Sequence, residues 1–119
     1  MDTLQPHIRL SRELGIQYAL LPGDPARVGQ VLTHLEQPRE LAYNREFKSA
    51  CGLYRGLPVL VLSTGIGGAS MAIAVEELHQ IGVTAAIRIG SSGALQPGVG
   101  LGELILASGA VRDDGASKA

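Results

Sequence analysis

A chain of 119 residues with 45% hydrophobic and 18% charged side chains lies in the range of single compact domains and outside those of disordered, fibrous or membrane proteins. Ten Lys and Arg against eleven Asp and Glu give a formal net charge of −1, and four aromatic side chains (Tyr18, Tyr43, Phe47, Tyr54) with no Trp leave little for base stacking, so nucleic acid is excluded as a partner. The longest apolar run, Leu57 to Leu62, is far below the roughly 20 residues of a membrane span, the start MDTLQPHIRLSREL has no secretory pattern, and a single cysteine, Cys51, excludes an intramolecular disulfide and multi-cysteine zinc sites, which makes the cytoplasm the expected compartment.

In chain order, residues 17–21 are predicted as a strand that stops at Pro22-Gly23. A helix follows, with Asp24 as cap, Pro25 at its first position, and Val28, Val31, Leu32 and Leu35 at helical spacing. Residues 39–62 alternate polar and apolar and break at Arg55-Gly56, which predicts a hairpin whose second, buried strand is Leu57 to Ser63. After the turn Thr64 to Gly68 comes the clearest helix, Ala69 to Ile81, with Met71, Val75, Leu78 and Ile81 on its apolar face, Glu76, Glu77 and Gln80 elsewhere, and Gly82 as its stop. A strand at Thr84 to Ile89, a turn at Gly90-Ser91-Ser92-Gly93, a loop through Pro97 and a strand at Glu103 to Ala107 complete the pattern. No covering helix is predicted at 113–119. The strand–helix–strand succession reads as an α/β fold with a parallel or mixed sheet. About five strands against two helices leave a sheet face uncovered; either the chain is part of a longer polypeptide or a partner covers that face.

Of the 16 glycines, eight gather at 65–68, 90–93 and 98–102, each group beside an apolar run, where backbone can approach a ligand closely. Arg88 lies within the run Ala85 to Ile89, and a buried guanidinium needs an anion beside it. An internal carboxylate, Asp24 or Glu46, is one candidate. A ligand anion is the other, because Ser91, Ser92 and the N–H groups of the glycine turn come next in the chain, and phosphate fits best. Gly23-Asp24-Pro25-Ala26-Arg27 reads either as a plain turn and cap or as a second anion site at a helix start, with Arg27 and Arg88 forming a clamp at neighbouring strand ends. Ser63 to Ser70 fails the dinucleotide fingerprint, and no glycine run carries a Walker lysine. His7, His34 and His79 lack metal-ligand spacing. His34 and His79 are predicted on helix surfaces, and Cys51 as a small buried or half-buried side chain.

Four segments in order, Pro22-Gly23-Asp24-Pro25-Ala26-Arg27, Asn44-Arg45-Glu46-Phe47, Ser63-Thr64-Gly65-Ile66-Gly67-Gly68 and Arg88-Ile89-Gly90-Ser91-Ser92-Gly93-Ala94, resemble the trimeric and hexameric nucleoside phosphorylases over nearly the whole chain. Ser63 to Gly68, Val75 to Leu78 and Val111 to Ser117 resemble the uridine branch, from which Ala69 departs, proline being frequent at that place. The resemblance implies a three-layer α/β/α fold around a mixed central sheet, with residues 1–119 as the N-terminal part of a single such domain. It implies phosphorolysis of a nucleoside, uridine first, to free base and ribose 1-phosphate in nucleoside salvage, without metal or organic cofactor in the chemistry. Gly23, Arg27, Arg88 and Ser91, with Arg45 from a neighbouring subunit, would bind phosphate. His7, also across an interface, would reach the sugar's primary hydroxyl, while Ser92 and Gly93 would line the ribose and base side. Glu46, Ile66 and Ser70 match positions that hold a structural potassium or sodium ion. The implied partners are nucleoside, phosphate and further copies of the chain, in a hexamer built from dimers with shared sites. A purine-specific phosphorylase, a nucleosidase using water, and a truncated phosphate-binding or oligomerising subunit without turnover are the competing readings.

Overall fold

The apolar run after Gln17 extends as β1 (Tyr18–Pro22) in the computed structural model, which describes residues 3–118. Helix α1 (Ala26–Leu32) follows at once. Its start is closed by Asp24, whose Oδ1 accepts the Ala26 N–H at 2.9 Å, so the predicted cap is the observed one. The helix ends at Leu32, short of Leu35, and exposed His34 lies in the turn beyond it rather than on a helix.

The predicted hairpin arm from residue 39 divides in two. Strands β2 (Glu36–Asn44), β3 (Phe47–Tyr54) and β4 (Leu57–Leu62) form an antiparallel meander. The second turn falls at Arg55-Gly56 as expected. The first falls at Arg45-Glu46, where Arg45 adopts φ +53°. Neither of its two central residues is a glycine, proline or asparagine, so only Asn44 at its first position signals a turn.

Helix α2 (Gly67–Gln80) begins two residues before the predicted start. Its end is a Schellman arrangement: the Gly82 N–H donates to the His79 carbonyl at 3.1 Å and the Val83 N–H to that of Leu78 at 3.0 Å. Gly82 sits at φ +98°, a conformation a side chain disfavours. The buried face of α2 carries Ser70, Ala74, Glu77 and Leu78, with Met71 and Ile73 packed alongside. Val75, predicted on that face, is exposed, and Glu77, predicted off it, is buried. The helix is therefore rotated from the position that its largest apolar residues suggest.

Strand β5 (Ala85–Ile89) completes a five-stranded sheet in the order β2-β3-β4-β1-β5. Strands β4, β1 and β5 are parallel and the meander is antiparallel, so the sheet is mixed. Strand alternation sends Leu60 and Leu62 to one face with Ala19, Leu21, Phe47, Ala74 and Leu78. Ala50 and Val61 face the other way, onto Val28 of α1. The two helices thus lie on opposite faces, giving the α/β/α layering. Buried Cys51 belongs to the α2-side core.

Two further expectations change. Residues 103–107 form no strand: Leu104 and Leu106 are fully exposed and the segment pairs with nothing among the described residues. A strand exists only through its ladder, and apolar alternation alone does not supply one. The second change concerns Arg88. Every residue of β5 is exposed, because β5 is the sheet edge and neither helix covers it, so the Arg88 guanidinium is not buried. The uncovered face is real. Tyr18, Leu20, Leu35, Tyr54, Leu57 and Ile87 line an apolar hollow of about 420 Å³ beside α1.

Candidate functional site

The carboxyl ends of the three parallel strands meet at one rim of the sheet. Register pairs Leu21 with Arg88 and Pro22 with Ile89, so the turns after β1 and β5 lie side by side. On the other flank the Thr64 N–H donates to the Pro22 carbonyl at 3.0 Å and the Gly65 N–H to that of Gly23 at 2.9 Å, drawing the turn after β4 against them. The result is a cleft of about 770 Å³ lined by Gly23, Asp24, Pro25, Arg27, Glu46, Gly65, Ile66, Gly67, Arg88, Gly90 and Ser91. Open α/β sheets bind ligands in such crevices beyond the carboxyl ends of strands.

Within the cleft, the Arg27 guanidinium donates from Nη2 to Ser91 Oγ at 3.3 Å. Arg88 curls back over its own turn, its Nη1 donating to the Ile89 carbonyl. A Cβ added at Gly23 would lie 3.1 Å from Arg88 Nη2, and one at Gly90 only 2.6 Å from Nη1, so both glycines are the floor on which the guanidinium rests. No carboxylate among the described residues forms an ion pair with Arg88 or Arg27. The internal partners considered for Arg88, Asp24 and Glu46, line the same cleft without pairing with it. Two guanidiniums without a carboxylate partner, a hydroxyl and two glycine turns facing one space make up the donor set that an oxyanion requires.

The opposite wall is set by Ser63, which is fully buried. Its Oγ donates to the Glu46 carbonyl at 2.6 Å and accepts the Lys48 N–H at 2.8 Å, locking the β2–β3 turn to the end of β4. Glu46 is thereby held against Gly65, and its Oε2 accepts the Ser70 hydroxyl at 2.8 Å. Ser70 Oγ also touches the Thr64 carbonyl. A hydrogen bond from the Glu46 backbone N–H and the Ser70 hydroxyl hold the Glu46 carboxyl below the usual range against the effect of burial, with Arg45 and His7 adding in the same direction. Gly65 has φ +72°, and a Cβ there would come within 2.6 Å of Glu46 Cγ and 2.9 Å of Ser70 Oγ. Gly65→Ala is expected to cost about 1–3 kcal/mol from the backbone conformation alone and to push Glu46 out of place, read as a lower midpoint in denaturant unfolding and weaker anion binding.

The predicted site residues separate into three groups. Gly23, Arg27, Arg88 and Ser91 converge in the cleft, with Glu46 and Ile66 on its far wall and Ser70 behind Glu46. Ser92 and Gly93 continue from Ser91 as exposed backbone and do not line it. Arg45 is exposed in the β2–β3 turn, outside the cleft of its own chain. His7 is tied to α2, with Nδ1 2.6 Å from Glu77 Oε2. Oε1 of the same carboxylate accepts the His7 N–H at 2.9 Å and the Ile8 N–H at 3.0 Å. Burial raises the Glu77 carboxyl, but these hydrogen bonds from Ile8, from the His7 backbone and from the His7 ring outweigh it and leave the group below the usual range. Glu77 is the residue that sequence reasoning missed. Its signal was spacing, since Ser70, Ala74, Glu77 and Ile81 fall on one helical face.

The comparisons agree with this architecture. The phosphorylase superfamily model matches residues 17–119. A uridine phosphorylase of Thermococcus kodakarensis is 49% identical over 117 residues, covering 98% of this chain and 42% of its own length. The crystal structure of uridine phosphorylase from Vibrio fischeri ES114 superposes with a TM-score of 0.92 at 45% identity, over 98% of this chain and 48% of that one. A purine nucleoside phosphorylase of Toxoplasma gondii, solved with immucillin-H, gives 0.76 at 43% identity, over 82% and 39%. The chain spans less than half the length of each. With its mixed sheet, two flanking helices and glycine-lined rim matching over nearly every residue, the chain belongs to the phosphorylase superfamily.

Proposed function

We propose that this chain supplies the phosphate-binding part of a nucleoside phosphorylase, with uridine as the preferred nucleoside. The observation that carries the reading is the convergence of Arg27, Arg88, Ser91 and Gly23 on one open cleft without an internal carboxylate partner. In the reaction a phosphate oxygen forms a bond to the anomeric carbon as the bond from that carbon to the base nitrogen breaks. The bonding pair leaves with the base, which takes up a proton, and the sugar passes through an oxocarbenium-like state. The two guanidiniums orient the phosphate and hold its charge beside the developing cation, which is catalysis by positioning and electrostatics. Ser92 and Gly93, next along the chain from Ser91, would face the ribose and base.

Arg45 supports a shared site, because an exposed arginine outside its own cleft can reach phosphate only in a neighbouring copy. We accordingly propose a homo-oligomer built from dimers, a hexamer in the full assembly, acting in the cytoplasm. Among the described residues no helix is long and apolar enough to cross a membrane. The Glu46 carboxylate, the Ser70 hydroxyl and the Ile66 carbonyl are hard oxygen donors, and the first two already touch. They suit a structural potassium or sodium ion, which would brace the β2–β3 turn.

The test is phosphate-dependent base release measured on the protein that carries this chain, with uridine and inosine in parallel. Uracil release that requires phosphate is expected. Release without phosphate would assign a nucleosidase. Preference for inosine would assign the purine specificity that the Toxoplasma likeness keeps as the second reading.

A further inference from the structure

Two neighbouring residues of the β2–β3 turn face different ways. Glu46 stands on the wall of its own cleft, and Arg45 is exposed beyond it. Apart from a longer-range attraction to Glu46, the Arg45 side chain forms no hydrogen bond or ion pair among the described residues, so its direction is set by the backbone that carries it. At φ +53° that backbone occupies the left-handed region, which a residue with a Cβ keeps only when its surroundings hold it there. The β3–β4 turn meets a similar demand with Gly56, at φ +81° beside Arg55. The β2–β3 turn has no glycine, and its hold comes from outside.

Ser63, fully buried at the end of β4, reaches across to the far side of the turn. Its Oγ donates to the Glu46 carbonyl at 2.6 Å and accepts the Lys48 N–H at 2.8 Å, while its own N–H donates to the Lys48 carbonyl at 2.9 Å. On the near side, Asn44 Nδ2 donates to the His7 carbonyl at 2.8 Å. Arg45 is thus carried between two pins, and the pin after it is a single hydroxyl.

We propose that Ser63 is a positioning residue for the anion site of the neighbouring copy: by fixing the far side of the turn, its hydroxyl aims the Arg45 guanidinium at phosphate bound in the other chain. This rests on the reading of Arg45 as a phosphate ligand across the interface. A buried residue of one copy then sets an affinity measured in the next, without itself touching phosphate or nucleoside.

Ser63→Ala removes both side-chain bonds, while Asn44 and the β2–β3 ladder still form the turn. In the protein that carries this chain, the KM for phosphate is expected to rise about tenfold, with the KM for nucleoside changing by less than about twofold. A merely structural residue would lower the unfolding midpoint and leave that ratio where it was. Ser63→Cys, which nearly keeps the volume and weakens both bonds, should shift the ratio in the same direction, so the outcome does not depend on one variant folding. An unchanged ratio in either folded variant overturns the proposal. In an Arg45→Ala background, Ser63→Ala is expected to add nothing to the phosphate KM, and an additive increase would overturn action through Arg45.

Mixed assemblies decide where the effect is felt. Ser63→Ala subunits are co-assembled with a large excess of Arg88→Ala subunits, whose own clefts lack the Arg88 guanidinium but whose Arg45 turns are intact. Each Ser63→Ala cleft then receives a correctly held Arg45 from its neighbour, and its KM for phosphate is expected to return to the wild-type value. A KM that stays raised would place the effect within one chain, through Glu46 and Gly65, and overturn the proposal. Base release that needs no phosphate would fail the functional reading and with it the role of Arg45; phosphate-dependent release with an unchanged KM ratio would overturn the role of Ser63 alone.

Discussion

Replacing Arg88 with alanine is expected to abolish measurable phosphate binding while the fold persists. The side chain is exposed, lies on the edge strand and pairs with no carboxylate among the described residues, so removing it leaves no buried charge behind. Surface substitutions of that kind change stability by about 0.5 kcal/mol or less. Binding is another matter. Charge-assisted hydrogen bonds contribute about 1.5–3 kcal/mol each, so losing a guanidinium that gives two to one phosphate would lower affinity by roughly two to four orders of magnitude. Arg27→Ala should cost less, because the Ser91 hydroxyl, Arg88 and the glycine turns remain in the cleft. Titration calorimetry with inorganic phosphate and thermal unfolding, run on the same two variants, separate the effects. Unchanged phosphate affinity in Arg88→Ala would reject the cleft as the anion site. A large drop in stability with unchanged affinity would return Arg88 to a structural role.

What the sequence made legible here was local or carried by chain order. Asp24 as a cap, Gly82 as a helix stop and Arg55-Gly56 as a turn each depend on a few neighbouring residues, and each is where it was expected. The adjacency of Arg27, Arg88 and Ser91 was also readable, since strand–helix–strand units place successive turns at the same rim of a parallel sheet. The misses depend on partners distant in the chain. The turn at Arg45-Glu46 is held by Ser63, a residue of the β4 end, through hydrogen bonds that no local composition encodes. Glu77 is buried because the N-terminal segment lays two backbone N–H groups and a histidine ring against it. The segment at 103–107 has strand composition without a strand, because its ladder partner does not lie within the described residues. Arg88 shows the reverse case. Its burial was the reason for expecting an anion; β5 is exposed, and the proposal of an anion rests instead on the convergence of Arg27, Ser91 and the glycine turns in the same cleft.

A protein made of these 119 residues alone is expected to bind phosphate weakly and to release uracil from uridine no faster than background. Transition-state stabilisation requires nucleophile, sugar and leaving base to be held together, and uniform binding of one component leaves the barrier where it was. The described residues bring Gly23, Arg27, Arg88 and Ser91 into one cleft, but Ser92 and Gly93 stay outside it and Arg45 is exposed beyond it. The surface argues in the same direction. Leu95, Leu101, Leu104, Leu106 and Val111 are 94–106% exposed, and Ile87, at 63%, stands on an uncovered sheet face beside an open strand edge. Apolar area and unpaired backbone of that kind promote self-association, so sedimentation should show aggregates or a bound partner rather than a dispersed monomer. The relatives extend to more than twice this length, and the share of each that this chain does not match is the natural source of the missing contacts. Supplying that share from the Vibrio enzyme as a second polypeptide should restore phosphate-dependent turnover and remove the aggregation together, since the same surfaces are needed for both. Turnover by the 119-residue chain at about 1–1,000 per second, the range of ordinary enzymes, would show instead that a phosphate cleft with a loosely held nucleoside suffices, and would overturn the requirement for simultaneous positioning in this fold.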